Sequence, residues 1–530
     1  MNPSLSRREL LGAAAAAVLL PGAAFSAPVT SSYDVIVYGG VPGGVAAAVA
    51  AARNGAKTLL IEQTRHVGGL STSGVNTSEI EHMIESTYGG IAMEFYRRIG
   101  KHYGFDLPQY RWESHVAEQI YLQMLKEAGV EVWLERRFQD ASVEGGQIKA
   151  ISFDDGQFQV AARVFIDATY EGDLFAKAGV SYSVGRESNS EYGETVNGFN
   201  ISKTHQFRFD VDPYRMPGDP KSGLLPGVWP DPLPEKGTGD HKIQAYNFRM
   251  WAVKAADGHP WPKPANYNAD DYALLLRYLT TKIDFPWDWT YRFGPVKLNL
   301  GDCNNAGPIS TDFVGGNYDW PEADYATREK IFQAHVTYQQ GMMWFLAHDE
   351  RLPERIREKV NQFALPTNQF VETDGWPHEL YVREARRMKS DYVMTEKNCA
   401  SAEVAKDSVG LASYTMDSHP VQRVIIDGAV RGEGCVELKT PHPYPVSYRS
   451  LTPKASECDN LLVPVCLSST HIAYGSIRME PVFMILGQSA ATAAVIAIDD
   501  KATVQAVAYG KLRERLVADR QKLDWSEPAK

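Results

Sequence analysis

The stretch that most limits how this chain can fold is Asp34-Val-Ile-Val-Tyr-Gly39-Gly40-Val41-Pro42-Gly43-Gly44-Val-Ala-Ala-Ala, followed by Leu59-Leu60-Ile61-Glu62. An apolar run of strand length enters a turn too rich in glycine for a helix interior. An alanine-rich segment then turns back, and a second apolar run ends in an acid. The pattern predicts a βαβ unit of the dinucleotide-binding kind. Gly39 allows the tight turn, the small residues Gly40 to Gly43 let the backbone approach a pyrophosphate, and Gly44 lets helix and strand lie close. The helix start attracts phosphate charge, and Glu62, 18 residues beyond Gly44, is placed for a ribose diol. Val41 stands where G-x-G-x-x-G has its middle glycine.

A chain of 530 residues is too long for one ordinary core, so two or more domains are expected. The formal net charge of -11, with no basic run in the body of the chain, excludes a polyanion-binding surface and hence nucleic acid as a partner. Ser6-Arg7-Arg8-Glu9-Leu10-Leu11 precedes an apolar stretch through Leu20, with small residues near Ala24 to Ser26. That stretch is too short for a stable membrane span. Paired arginines before it resemble a twin-arginine export signal over residues 1–27, which implies the twin-arginine translocation machinery as a partner and a periplasmic or secreted enzyme. An ordinary secretory signal or an uncleaved anchor are the alternatives. The five cysteines lack C-x-x-C spacing, so no metal or redox motif is visible.

Beyond Glu62 and Gln63, the loop Gly68-Gly69-Leu70-Ser71-Thr72-Ser73-Gly74 can pass close to a ligand while offering amide and hydroxyl donors. Helices are expected from Gly90 and over Glu113 to Ala128, a strand at Val130 to Leu134, and an antiparallel pair around Ile148–Phe153 and Phe158–Ala162. Arg163 to Thr169 reads as a separate buried parallel strand, so Ala168, Thr169 and Asp173 should face the ligand at its carboxyl end. From 197 to 390 aromatics and prolines become dense, as in Pro286-Trp287-Asp288-Trp289. Strand-like alternation occurs at 206–211 and 243–253, and one long helix is expected over Glu322 to His348. This reads as an inserted domain, with Asn304, Asn305 and Asp312 in a glycine-rich polar loop able to reach a substrate. A strand at Asn460 to Val465 precedes Ser468-Ser469-Thr470-His471, then Gly475-Ser-Ile-Arg478-Met-Glu-Pro481 and a helix over Val482 to Ile498 containing Gln488 and Ser489.

Together D-V-I-V-Y-G-G-V-P-G-G, L-L-I-E, G-G-L-S-T-S-G and G-S-I-R-M-E-P-V-F-M-I-L-G-Q-S-A-A resemble the FAD-dependent oxidoreductases with a glutathione-reductase-type FAD domain. G-G-I-A-M-E-F-Y-R-R, I-D-A-T-Y-E-G-D-L and L-Y-V-R-E-A-R-R-M extend the similarity from about Tyr33 to Ile498. The resemblance implies an α/β chain: a Rossmann-like FAD-binding domain, with FAD held by the first βαβ unit and closed over by the C-terminal segment, and an inserted α+β substrate domain. The expected divisions are the signal at 1–27, FAD-binding parts at 33–196 and 391–500, the substrate domain at 197–390, and a C-terminal helix and tail at 501–530. Cofactor contacts are expected at Gly39, Gly40, Val41, Pro42, Gly43, Gly44, Glu62, Gln63, Gly68, Gly69, Leu70, Ser71, Ala168, Thr169, Asp173, Pro481, Gln488 and Ser489.

A flavin supplies redox chemistry, so the protein must orient a substrate carbon and manage its proton. Neutral histidine suits the proton transfer. His471, just before the segment expected to line the flavin, is the first candidate base; a histidine satisfied by its surroundings is the alternative. Arg478 is the candidate to hold a flavin or substrate oxygen, or else a structural ion pair, and His419 is a second base candidate that would meet the substrate. Arg383, Arg386 and Arg387 lie at helical spacing and suit domain contacts. The expected activity is oxidation of a hydroxyl on a sugar-like small molecule, with an unnamed electron acceptor. A flavin-dependent lyase or isomerase acting on carbohydrate, and a carbohydrate-binding protein with structural FAD, are the alternatives.

Overall fold

The computed structural model describes residues 31–77, 87–154, 156–230, 232–279 and 307–525, with the backbone of 301–303. The export signal at 1–27, Asn304, Asn305 and the aromatic run at 286–291 lie outside the described residues.

The opening unit folds as its pattern requires. Strand β1 (Ser31–Tyr38), helix α1 (Pro42–Arg53) and strand β2 (Thr58–Ile61) follow one another, and Val35, Ile36, Val37, Leu59, Leu60 and Ile61 are buried. Residues buried on both faces are the mark of a covered parallel strand. Helices α2 (Gly90–His102) and α3 (Ser114–Ala128) lead to β3 (Glu131–Trp133), then β4 (Phe138–Glu144), β5 (Gln147–Phe153) and β6 (Phe158–Asp167). The sheet runs β3-β2-β1-β6-β5-β4, with β1 parallel to β2 and β6, so the carboxyl ends of three strands open toward one edge. Strand β7 (Leu461–Leu462) adds in parallel to β6, and helices α5 (His471–Ile477) and α6 (Glu480–Asp500) follow it. Helix α6 is long and apolar enough to cross a membrane, but it is buried in the core.

Helix α6 packs along α1, and glycines set the approach. A Cβ on Gly487 would lie 2.0 Å from the Gly43 carbonyl, and one on Gly44 would lie 1.8 Å from the Gly39 carbonyl.

Several local expectations change. Phe158–Asp167 is one strand, not two: its first residues pair antiparallel with β5, its last pair parallel with β1, because its exposure switches from mixed to fully buried partway along. Residues 206–211 form no strand; their alternation arises because one side packs on the hairpin Gln422–Glu433, where Val430 donates to the Val211 carbonyl. Arg383, Arg386 and Arg387 are on extended backbone, where Arg387–Met388 pairs with Tyr182–Ser183, so their spacing is not that of a helix face. The strand expected over 460–465 shortens to β7.

Between residues 197 and 390 lies a separate antiparallel sheet of four strands, Gly301–Cys303, Met250–Lys254, Phe363–Pro366 and Gly258–His259 in that order, beside the long helix α4 (Tyr325–His348). Short antiparallel ladders over 408–447 carry the chain back toward α5.

Candidate functional site

The turn after β1 is shaped by contacts that no side chain could share. Gly39 has φ +104°, and a Cβ there would lie 2.7 Å from the backbone of Ala168 and Thr169. Gly69 has φ +47°, with Val41 and the Tyr170 hydroxyl against it. Thus β1, β6 and the Gly68–Gly69 loop meet at one edge, and Gly68 N–H donates to the Gly40 carbonyl at 2.7 Å.

Two observations test whether this edge fits a pyrophosphate-bearing cofactor. Helix α1 begins without a side-chain cap and without an acid in its first turn, leaving its amide end to an external anion. At the tip of β2, Glu62 accepts from Gly40 N–H at 2.6 Å and Thr64 N–H at 2.7 Å, so its carboxylate is fixed beside the turn. Burial raises the Glu62 pKa, and those amides oppose the rise. The residues fit FAD: α1 would hold the phosphates and Glu62 the ribose.

The adjoining loops are fastened from below. Asp167 accepts from Thr169 and from Phe175 N–H, and burial pushes its carboxyl up to about 6. The Tyr170 hydroxyl accepts from Leu70 N–H at 3.1 Å and donates to Glu480 at 2.6 Å. Burial pushes Glu480 up to about 8, so the acid opening α6 is neutral near pH 7.

A second, polar cavity of about 190 Å³ holds the charged groups of the site. Arg383, Asp417, His419 and Arg478 line it, with Tyr381 and Arg249. His419 Nδ1 is 2.7 Å from Asp312, and Nε2 is 3.3 Å from Asp417. Arg478 donates to Asp417 at 2.6 Å and to the Tyr381 hydroxyl at 3.0 Å, while Arg383 pairs with Asp312 at 3.0 Å. Burial alone would raise both acids. His419 and Arg478 instead hold Asp417 far below the usual range, and Arg383 and His419 lower Asp312. Both remain carboxylates, and His419 stands between them.

His471 begins α5, and its ring turns into a buried polar network. Its Nδ1 is 2.6 Å from Glu384 and its Nε2 is 3.1 Å from the Ser418 hydroxyl, and the ring is buried. Burial would raise Glu384, but His471 and Arg387 hold it down at about 2. Gln244 donates to Glu384 and accepts from His419 N–H, so this buried network supports the strand Met416–Ser418 and the residue after it. Both ring nitrogens of His471 thus face protein groups, and the histidine holds the network behind the cavity wall.

Other expected contacts divide the same way. Gln63 lines a cavity beside Glu62. Ala168 and Thr169 touch the Gly39 turn through their backbone, Pro481 begins α6, and the Ser71 carbonyl accepts from Trp112. Asp173 is held by Arg328 and Arg386 at 2.5 to 2.9 Å, Gln488 caps the start of α2 by accepting from Ile91 N–H, and Ser489 donates to the Val409 carbonyl. The Asp173 carboxylate, the Gln488 side-chain carbonyl and the Ser489 hydroxyl are thus engaged within the protein. Sequence reading placed Asp312 in a loop able to reach a substrate but gave no role to Asp417 or Tyr381, and only the fold brings Asp312 and Tyr381 to the His419 segment. Cys399, Cys435, Cys458 and Cys466 are buried free thiols.

The model of the family described as FAD dependent oxidoreductase matches residues 34–516. Among solved structures, the chain resembles the myxobacterial chondrochloren halogenase CndH, an FAD-dependent halogenase, at 18% identity. That match covers 29% of this chain and 41% of the halogenase, with a TM-score of 0.23. Thermovibrio ammonificans THI4 is 18% identical over 29% of this chain and 66% of its own, at TM-score 0.22. L-proline dehydrogenase from P. horikoshii is 13% identical over 30% and 59%, at TM-score 0.23. The chain thus spans less than two thirds of each of these structures. No curated protein matches.

Proposed function

The chain belongs to the FAD-dependent oxidoreductase family, and from that premise we propose that it is an exported enzyme oxidising a hydroxyl group of a sugar-like small molecule. The observation that carries this reading is the polar cavity in which His419 stands between Asp312 and Asp417, with Arg478 and Tyr381 beside them. FAD, when bound, supplies the two-electron acceptor for hydride. The protein's own task is the hydroxyl proton. His419, on the cavity wall, takes it: Asp312 fixes Nδ1, and the alcohol hydroxyl meets Nε2 in place of its 3.3 Å contact with Asp417. Asp312 and Asp417, held as carboxylates, then stabilise the charged ring. Arg478, anchored by Asp417, orients a substrate oxygen with its remaining N–H groups. A small, strongly polar cavity suits a polyhydroxylated ligand better than an apolar one.

Export rests on Arg7-Arg8 before the apolar run and places the enzyme in the periplasm or outside the cell. The division into FAD-binding parts at 33–196 and 391–500 and a substrate domain at 197–390 belongs to the same reading. The test is anaerobic mixing of the FAD-loaded protein with glycosides and free sugars. Lasting bleaching of the flavin band supports hydroxyl oxidation; turnover without net bleaching, or binding without either, overturns it.

A further inference from the structure

We propose that the region inserted after residue 197 builds half of the pocket for the adenosine end of FAD, so that it selects the cofactor as well as meeting the substrate. A cavity of about 250 Å³ opens beside the tip of β2. One wall is Gln63 and Thr64, and Thr64 N–H holds the Glu62 carboxylate, which marks the ribose end. The opposite wall is Trp320 and Phe332, from the turn before the long helix and from that helix itself.

The lining chemistry matches a purine. Aromatic side chains offer faces to a flat base, and a few fixed polar groups give orientation. Glu171 is buried, with one carboxyl oxygen accepting from the Trp320 indole at 3.3 Å, and His378 Nε2 is buried without a hydrogen-bond partner. Both line this cavity. An adenine amino group and ring nitrogens supply the donor and acceptors that these two side chains can answer. Burial pushes the Glu171 carboxyl up to about 7, against the pull of Arg328.

The far wall is held in place. Arg328 donates to both Asp173 oxygens, at 2.5 and 2.9 Å, and its backbone-directed N–H groups reach the Trp320 and Pro321 carbonyls. The clamp ties the long helix to the loop after β6. A wall fixed to the nucleotide domain in this way is set before the ligand arrives.

The inference concerns cofactor binding alone and stands apart from the substrate reading, so no sugar enters its test. Full-length protein stripped of flavin is titrated with FAD, FMN and ADP by fluorescence and calorimetry, as wild type, Phe332→Ala and Glu171→Gln. ADP should bind wild type and compete with FAD. Phe332→Ala should weaken both adenine-bearing ligands by about tenfold or more, as loss of an aromatic contact requires, with FMN affinity unchanged. Glu171→Gln, which keeps the shape, should shift ADP and FAD together and leave FMN alone. Equal weakening of FAD and FMN, unchanged ADP affinity in both variants, or failure of ADP to compete would each overturn the proposal.

Discussion

Asp312 Oδ2 stands 2.7 Å from His419 Nδ1, although 107 residues separate the two in the chain. The contact fixes the ring so that Nε2 is turned to Asp417, 3.3 Å away on the cavity wall. Asp312→Asn should keep the shape, lose the charge that stabilises a protonated ring, and lower kcat by about 10² to 10⁴, the range for a compromised general base. The flavin content should stay at the wild-type level. Stopped-flow reduction of the FAD-loaded variant measures this, and wild-type kinetics would remove His419 from the proton path.

His471→Ala separates a positioning role from a catalytic one. Removing the ring takes a charge-assisted hydrogen bond from buried Glu384 and leaves a cavity, so stability should fall by about 2 to 4 kcal/mol. Thermal unfolding reads the loss. A variant as stable as wild type, yet unable to reduce its flavin, would return His471 to the chemistry.

Glu480 makes stability depend on pH. Its folded pKa, pushed up to about 8 by burial, lies above the usual carboxyl value, so the folded state binds the extra proton. That stabilisation is fully present below the ordinary value near 4.5 and is lost as pH rises through about 8. Glu480→Gln, which stays neutral, should gain Tm relative to wild type from pH 5 to pH 8, with the gap level above that. A gap that does not change across this window contradicts the buried neutral acid.

Gly487 tests the close packing of α6 on α1. A Cβ at this position would meet the Gly43 carbonyl at 2.0 Å, which backbone cannot yield cheaply. Gly487→Ala should cost about 1 to 3 kcal/mol or more and should lower the FAD content of purified protein, because the displaced helix carries the cradle. Absorbance at the flavin band relative to protein, with a melting curve, reads both.

The cofactor cradle was legible in the sequence because its requirements are local. Gly39, Gly44 and Glu62 sit at fixed offsets along one βαβ unit, and each is imposed by backbone that is near in the chain. The polar cavity was not legible for the opposite reason. Arg478, His419 and Asp312 were singled out, but each by itself: Asp312 and Tyr381 lie on segments remote from His419, and isolated polar residues in loops carry no pattern that pairs them. The same holds for His471, whose hydrogen-bond partners Glu384 and Ser418 lie 87 and 53 residues away.

Sequence alone determined the class of fold and of cofactor, since hydrophobic period, glycine turns and a terminal acid act over a few residues. The tertiary structure decided which polar side chains are open to a ligand and which are consumed by the fold. Asp173, Gln488, Ser489 and His471 have residue types suited to a site, yet their hydrogen-bonding groups are already used. A buried polar group takes whatever partner the packing brings, and that partner is a property of the folded chain.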